Sequence, residues 1–123
     1  MASRNQQFFA LKKYAVVSNT DLQPFPGELY EELQDLDKKV YPIDMGGSRY
    51  VKGDEAFPTL LELPEKVEAV IVALPRHNVT EVVAHMVELG LARLWLQCNP
   101  SLEVLAACKK EGIEVHQADA RAG

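Results

Sequence analysis

The strongest constraint on the fold is four apolar strand formers followed directly by four small polar residues: Tyr14-Ala15-Val16-Val17, then Ser18-Asn19-Thr20-Asp21. The apolar run is too short for a helix and has no alternation, so it predicts a strand buried on both faces. A loop with Pro24, Pro26 and Gly27 follows, and Glu28-Leu29-Tyr30-Glu31-Glu32-Leu33 opens a helical pattern. Strand, polar loop and helix make the first half of a βαβ unit. In a doubly wound sheet such a strand is central, and ligands bind beyond its carboxyl end.

The rest of the chain adds strands and helices beside this unit. Residues 4–11 predict a short helix packing Phe8, Phe9 and Leu11. In the helix after the first loop, Leu29, Leu33 and Leu36 are spaced to face inward. Lys39-Val40-Tyr41-Pro42-Ile43 predicts a second strand, and Pro42 suits an edge-like one. Residues 44–55, with Gly46, Gly47 and Gly53, read as a loop, and a helical turn is expected near Pro58. Ala69–Leu74 is the best buried strand, stopped by Pro75. Asn78 with Glu81 three residues on resembles a capping box, and Gly90 ends the helix they start. Leu91–Gln97 is a fourth strand. Asn99-Pro100 starts a helix whose inward residues are expected to be Leu102, Leu105 and Ala106. Ile113–His116 is a fifth strand. Strands alternating with helices predict a three-layer, Rossmann-like α/β fold. Its five-stranded parallel sheet, expected in the order 3-2-1-4-5, carries helices on both faces, with Val16, Val17, Val70, Val72, Leu94 and Leu96 in the core.

At 123 residues the chain predicts one domain, spanning 1–123. Its net charge of −5 argues against nucleic acid as a general partner, because phosphate binding needs a basic face. No apolar run approaches the ~20 residues that span a bilayer, and no membrane partner is expected. The first residues lack the apolar core of a secretion signal, and Cys98 and Cys108 do not make a disulfide framework. A cytoplasmic chain with reduced thiols is the expectation.

The polar loops at the strand ends hold the candidate site: Ser18–Asp21, Asp44–Gly47, Pro75–Asn78 and Gln97–Asn99. The fingerprint G-x-G-x-x-G is absent, but Ser18, Asn19 and Thr20 can offer donors to a phosphate as readily as they can form a plain turn. Asp44 stands where an acidic residue accepts from a ribose hydroxyl in NAD sites, and equally where a loop aspartate would. Arg76 and His77 read as phosphate ligands or as a solvated pair. His85 reads as structural, and His116 has no evident partner in the sequence. Cys98 lies before a helix start, a setting that favours a thiolate, but no base stands beside it. Neither a metal-ligand spacing nor a Ser/His/Asp arrangement is present, so the reading leans away from an enzyme and names no catalytic residue.

From Gly53 to Asn99 the chain resembles the small stand-alone CoA-binding domain proteins, which are similar to the N-terminal domain of the succinyl-CoA synthetase alpha subunit. Phe57-Pro58-Thr59-Leu60, Leu63-Pro64, the strand Val67–Leu74, Glu88-Leu89-Gly90 and Leu94-Trp95-Leu96-Gln97 carry the resemblance. Val40-Tyr41-Pro42-Ile43-Asp44 fits the family's second strand, where Asn usually stands in place of Asp44. The resemblance implies a non-catalytic domain binding the nucleotide end of coenzyme A or an acyl-CoA. Its ligand loops map to Ser18, Asn19 and Thr20, to Asp44 and Met45, and to Leu74, Pro75 and Arg76. The chain departs from the family in having Ser18 for a glycine, Cys98-Asn99-Pro100 where a glycine is usual, and no basic residue beside Asp44. Two alternatives stand beside this reading: an NAD-binding redox protein, and a ligandless interaction protein that keeps the fold. The partners expected are a small-molecule nucleotide cofactor and, for the interaction protein, a second copy of the chain or another protein.

Overall fold

The computed structural model describes residues 7–75, 78–97 and 100–117. Five strands form one parallel sheet: β1 (Lys13–Ser18), β2 (Lys39–Asp44), β5 (Ala69–Ala73), β6 (Arg93–Leu96) and β7 (Glu114–Gln117), in the order β2-β1-β5-β6-β7. Three helices connect them, α1 (Gly27–Asp35), α2 (Val79–Leu89) and α3 (Leu102–Lys110), with a short 3₁₀ turn at Leu60–Glu62. The expected three-layer α/β class is the one observed. Among these five the strands lie 2-1-3-4-5 in chain order, with the third strand inside, between the first and the fourth. Its five residues are all buried, and such a run stays dry only between two other strands.

The two faces of the sheet bury alternate residues of the same strands, as the two-residue period of a strand requires. Ala15, Val17, Val70, Val72, Leu94 and Leu96 pack on one face against Val82, Val83 and Met86 of α2 and Val104 and Cys108 of α3. Tyr14, Val16, Ile71 and Trp95 pack on the other against Phe8 and against Tyr30 and Leu33 of α1. β2 is an edge strand, as Pro42 suggested. The Pro42 carbonyl accepts from Phe57 on the side away from β1, so the missing N–H faces the outer edge.

Several local expectations change. In α1 the inward residues are Tyr30 and Leu33, and Leu36, beyond the helix end, is 62% exposed. α3 starts after Pro100, with Ser101 Oγ accepting from Val104 N at 3.1 Å. Its buried residues are Val104 and Cys108, and Leu102 is 82% exposed. In α3 the strongest apolar spacing in the sequence lies off the face that meets the sheet, whereas in α1 Leu33 and Leu29 keep to that face and Leu36 does not. The loop 44–55 contains a small hairpin, β3 (Tyr50–Val51) with β4 (Asp54–Glu55). Its turn residues Lys52 and Gly53 both have positive φ, +53° and +83°, as a tight primed turn demands. Asn78 precedes α2 in a helical backbone conformation, and its side chain makes no capping bond. Of the helix expected over 4–11, residues 7 and 8 are helical, and residues 1–6 lie outside the described residues.

Candidate functional site

β1 has β2 on one side and β5 on the other, so the connections leaving β1 and β5 run in opposite directions across the sheet. This is the switch point at which doubly wound sheets open a crevice. Register places Ser18 beside Asp44 of β2 and beside Ala73 of β5, so the loops that follow these residues start side by side.

Ser18 and Asp44 are both fully buried. The Ser18 hydroxyl donates to the Ile43 carbonyl at 2.8 Å, and Met45 N donates to the Ser18 carbonyl at 2.8 Å. Ser18 therefore ties β1 to β2 and does not line the crevice. The Asp44 carboxylate accepts from Thr20 N at 2.9 Å, from Thr20 Oγ1 at 2.6 Å and from Gly46 N at 2.9 Å. Burial pushes this carboxyl up, but the bonds from Thr20, together with Ser48 and Gly46, outweigh it and bring the pKa from 3.8 to about 2. Asn19 organises the remainder of the loop: its Oδ1 accepts from Asp21 N at 3.0 Å, and its carbonyl accepts from Leu22 N and Gln23 N at 2.9 and 3.1 Å. The Ser18 and Thr20 hydroxyls that the sequence offered to a phosphate are thus held by the Ile43 carbonyl and the Asp44 carboxylate.

Gly46 is the residue the sequence reading passed over. A Cβ there would lie 2.8 Å from Asn19 Oδ1 and 3.1 Å from both Asp21 N and Asp44 Oδ1, so only glycine lets the second loop close on the first. The available signal was its position two residues after an acidic strand end.

The crevice holds a cavity of about 260 Å³ lined by Asn19, Met45, Pro58, Thr59, Leu74, Asn78 and Glu81. Three residues expected at the site, Asn19, Met45 and Leu74, meet there. Thr20 faces a neighbouring hollow of about 480 Å³, shared with Phe25, Gly27, Glu28, Ser48, Tyr50, Val51 and Lys52. Pro75 accepts from Asn78 N at 2.9 Å and shapes the entry to α2. Arg76, His77, Cys98 and Asn99 lie outside the described residues. Among the described residues no group of three or more His, Cys, Asp and Glu is placed to hold a metal. His85 Nε2 lies 3.9 Å from Glu81, and His116 Nε2 is 2.6 Å from Glu114 Oε2 with its ring stacked on Trp95. Cys108 is buried in the core, and burial pushes its thiol up. No helix among the described residues is long and apolar enough to cross a membrane.

A parallel sheet of this order, with polar loops closing over a cavity at its switch point, is the architecture of nucleotide-cofactor-binding domains. The chain belongs to the CoA binding domain family, whose model matches residues 12–120. No curated protein matches the sequence. Among solved structures, a hypothetical protein from Pyrococcus horikoshii OT3 is similar with a TM-score of 0.78 at 22% identity, covering 90% of this chain and 80% of that one. The cell-free ID.343 protein from Thermus thermophilus has a TM-score of 0.76 at 22% identity, over 95% of this chain and 91% of its own. The dinucleotide-forming acetyl-coenzyme A synthetase 1 of Ca. Korarchaeum cryptofilum, in complex with phosphate and ADP, has a TM-score of 0.72 at 19% identity, over 85% of this chain and 25% of that one. At these identities the likeness is one of fold.

Proposed function

We propose that this protein is a non-catalytic module that takes the nucleotide end of coenzyme A or an acyl-CoA into the crevice between β1, β2 and β5. The observation that carries the reading is the cavity at the switch point of a CoA binding domain, bounded by the loops after all three strands. Its volume, about 260 Å³, lies just below the ~300–1,000 Å³ of pockets that enclose whole ligands. It suits one end of a long molecule whose remainder runs over the surface. The hollow beside it presents the Lys52 ammonium and the start of α1. That combination favours phosphate oxygens, with Glu28 and Glu31 as the charges opposing it.

The NAD alternative depended on Asp44 reading a ribose diol. Both Asp44 oxygens are engaged by Thr20 and Gly46 and the residue is fully buried, so no observation favours that reading. Thermal denaturation with CoA, acetyl-CoA, NAD, NADP and ATP tests the proposal. CoA at ~100 times its dissociation constant adds roughly 2.7 kcal/mol of stability, a plain rise in Tm. A melt unmoved by CoA and acetyl-CoA leaves the ligandless interaction protein as the reading, and a response to NAD alone revives the redox one.

A further inference from the structure

Helix α3 carries two apolar stripes, and the sheet uses one of them. Val104 and Cys108 face the sheet and are buried. Leu102, Leu105 and Ala106 are all exposed, Leu102 at 82% and Leu105 at 39%. With Lys109 they fall at i, i+3, i+4 and i+7, the spacing that aligns residues along one side of a helix. An exposed leucine by itself means little, but a continuous row on one helix marks a contact surface.

The charges on α3 say what covers the row. Its first turn holds Glu103 and its last turn Lys109 and Lys110. None of the three is in an ion pair among the described residues. A helix acidic at its start and basic at its end is complementary to a second copy of itself lying antiparallel, related by a two-fold axis. With Leu105 facing the partner's Ala106, the two-fold sets Leu102 opposite the partner's Lys109, whose methylene stem can cover it. The same register brings Glu103 within about half a turn of the partner's Lys110.

We infer that this protein forms a weak two-fold dimer through the outer face of α3, with Leu102, Leu105 and Ala106 at its centre and Glu103–Lys110 pairs at its flanks. α3 packs beside β7, at the sheet edge away from β2, so the pairing leaves both crevices open and does not depend on what they bind. One nine-residue helix per copy makes a small interface, and a dissociation constant on the order of 100 μM is expected. The monomer therefore prevails at the low concentrations of a denaturation experiment.

Sedimentation equilibrium tests this. The wild-type chain is expected to be mostly monomeric at about 10 μM and mostly dimeric at about 1 mM. Leu102→Lys, which sets ammonium groups against Lys109 of the partner, is expected to weaken association at least about 10-fold. Glu103→Lys and Lys110→Glu each make both flanking pairs repulsive and are expected to weaken it about 3–10-fold. An equal mixture of those two variants, in which every flanking pair is again attractive, is expected to associate to within about 3-fold of wild type. Melts at about 10 μM check that each variant is folded. A wild-type chain still monomeric at about 1 mM, or a Leu102→Lys variant that associates as wild type does, overturns the proposal. So does a mixture that associates no better than the two charge variants alone.

Discussion

Asp44 shows how one buried side chain can tie two loops together. Its folded-state pKa, about 2, lies below the ordinary 3.8, so its stabilisation is present above about pH 4 and lost as pH falls through about 2. The shift corresponds to about 2 kcal/mol. Asp44→Asn is expected to unfold with a shallower loss of stability between pH 4 and 2, measured by urea denaturation at each pH. Glu65, paired with Lys13 and Lys39 and held at about 2, titrates in the same window, so the difference between the two proteins is the quantity to read. Ser18 invites the opposite of what its sequence position suggests. Replacing it with glycine would widen a phosphate cradle if the residue lined one, but its hydroxyl is spent on Ile43 inside the sheet. Ser18→Gly is therefore expected to cost about 1–3 kcal/mol and leave CoA affinity no better, as titration and ligand-free melting would show. Gly46→Ala is expected to cost about 1–3 kcal/mol and weaken CoA binding as well, because its Cβ would push the first and second loops apart. Unchanged stability there would mean that the two loops are not held closed.

Among the elements, α3 gives the clearest contrast between sequence pattern and packing. Leu102 is the more hydrophobic residue, but Val104 is the buried one. Leu102→Ala is expected to change stability by less than about 0.5 kcal/mol and Val104→Ala by about 1–3 kcal/mol in chemical denaturation. A reversal of that order would overturn the observed helix phase. The cause of the difference is where the helix begins. Pro100 stays outside, Ser101 caps, and the phase is set by the residues that meet Leu94 and Leu96 on the sheet. The hairpin β3–β4 was hidden for a related reason. Two strands of two residues have no periodicity to detect, and only Gly53 hints at the turn.

The whole molecule is held by two cores, one on each face of the sheet, and they are covered unequally. Helices α2 and α3 close one face, whereas α1 shares the other with the segment around Phe8. Phe8 is 1% exposed and lies 5.5 Å, ring to ring, from Trp95, the single tryptophan of the chain. Phe8→Ala is expected to cost about 3–5 kcal/mol and to shift Trp95 emission to the red. An unshifted spectrum with full stability would mean the segment does not cover the sheet.

Strand positions, layer class and family were legible in the sequence because they depend on local signals: unbroken apolar runs, helical spacing and turn residues. Ala69–Leu74 had to be a buried strand and Pro42 suited an edge-like one, whatever surrounded them, while which strands lie side by side is set by the tertiary structure. What the loops do was decided only by tertiary structure. Asp44 meets Thr20 across 24 residues of chain, and whether Thr20 donates to a ligand or to that carboxylate depends on where β2 ends relative to β1. The identity of a hydrogen-bonding residue is written in the sequence. Its availability is not, because a donor has one proton to give and the fold chooses its partner.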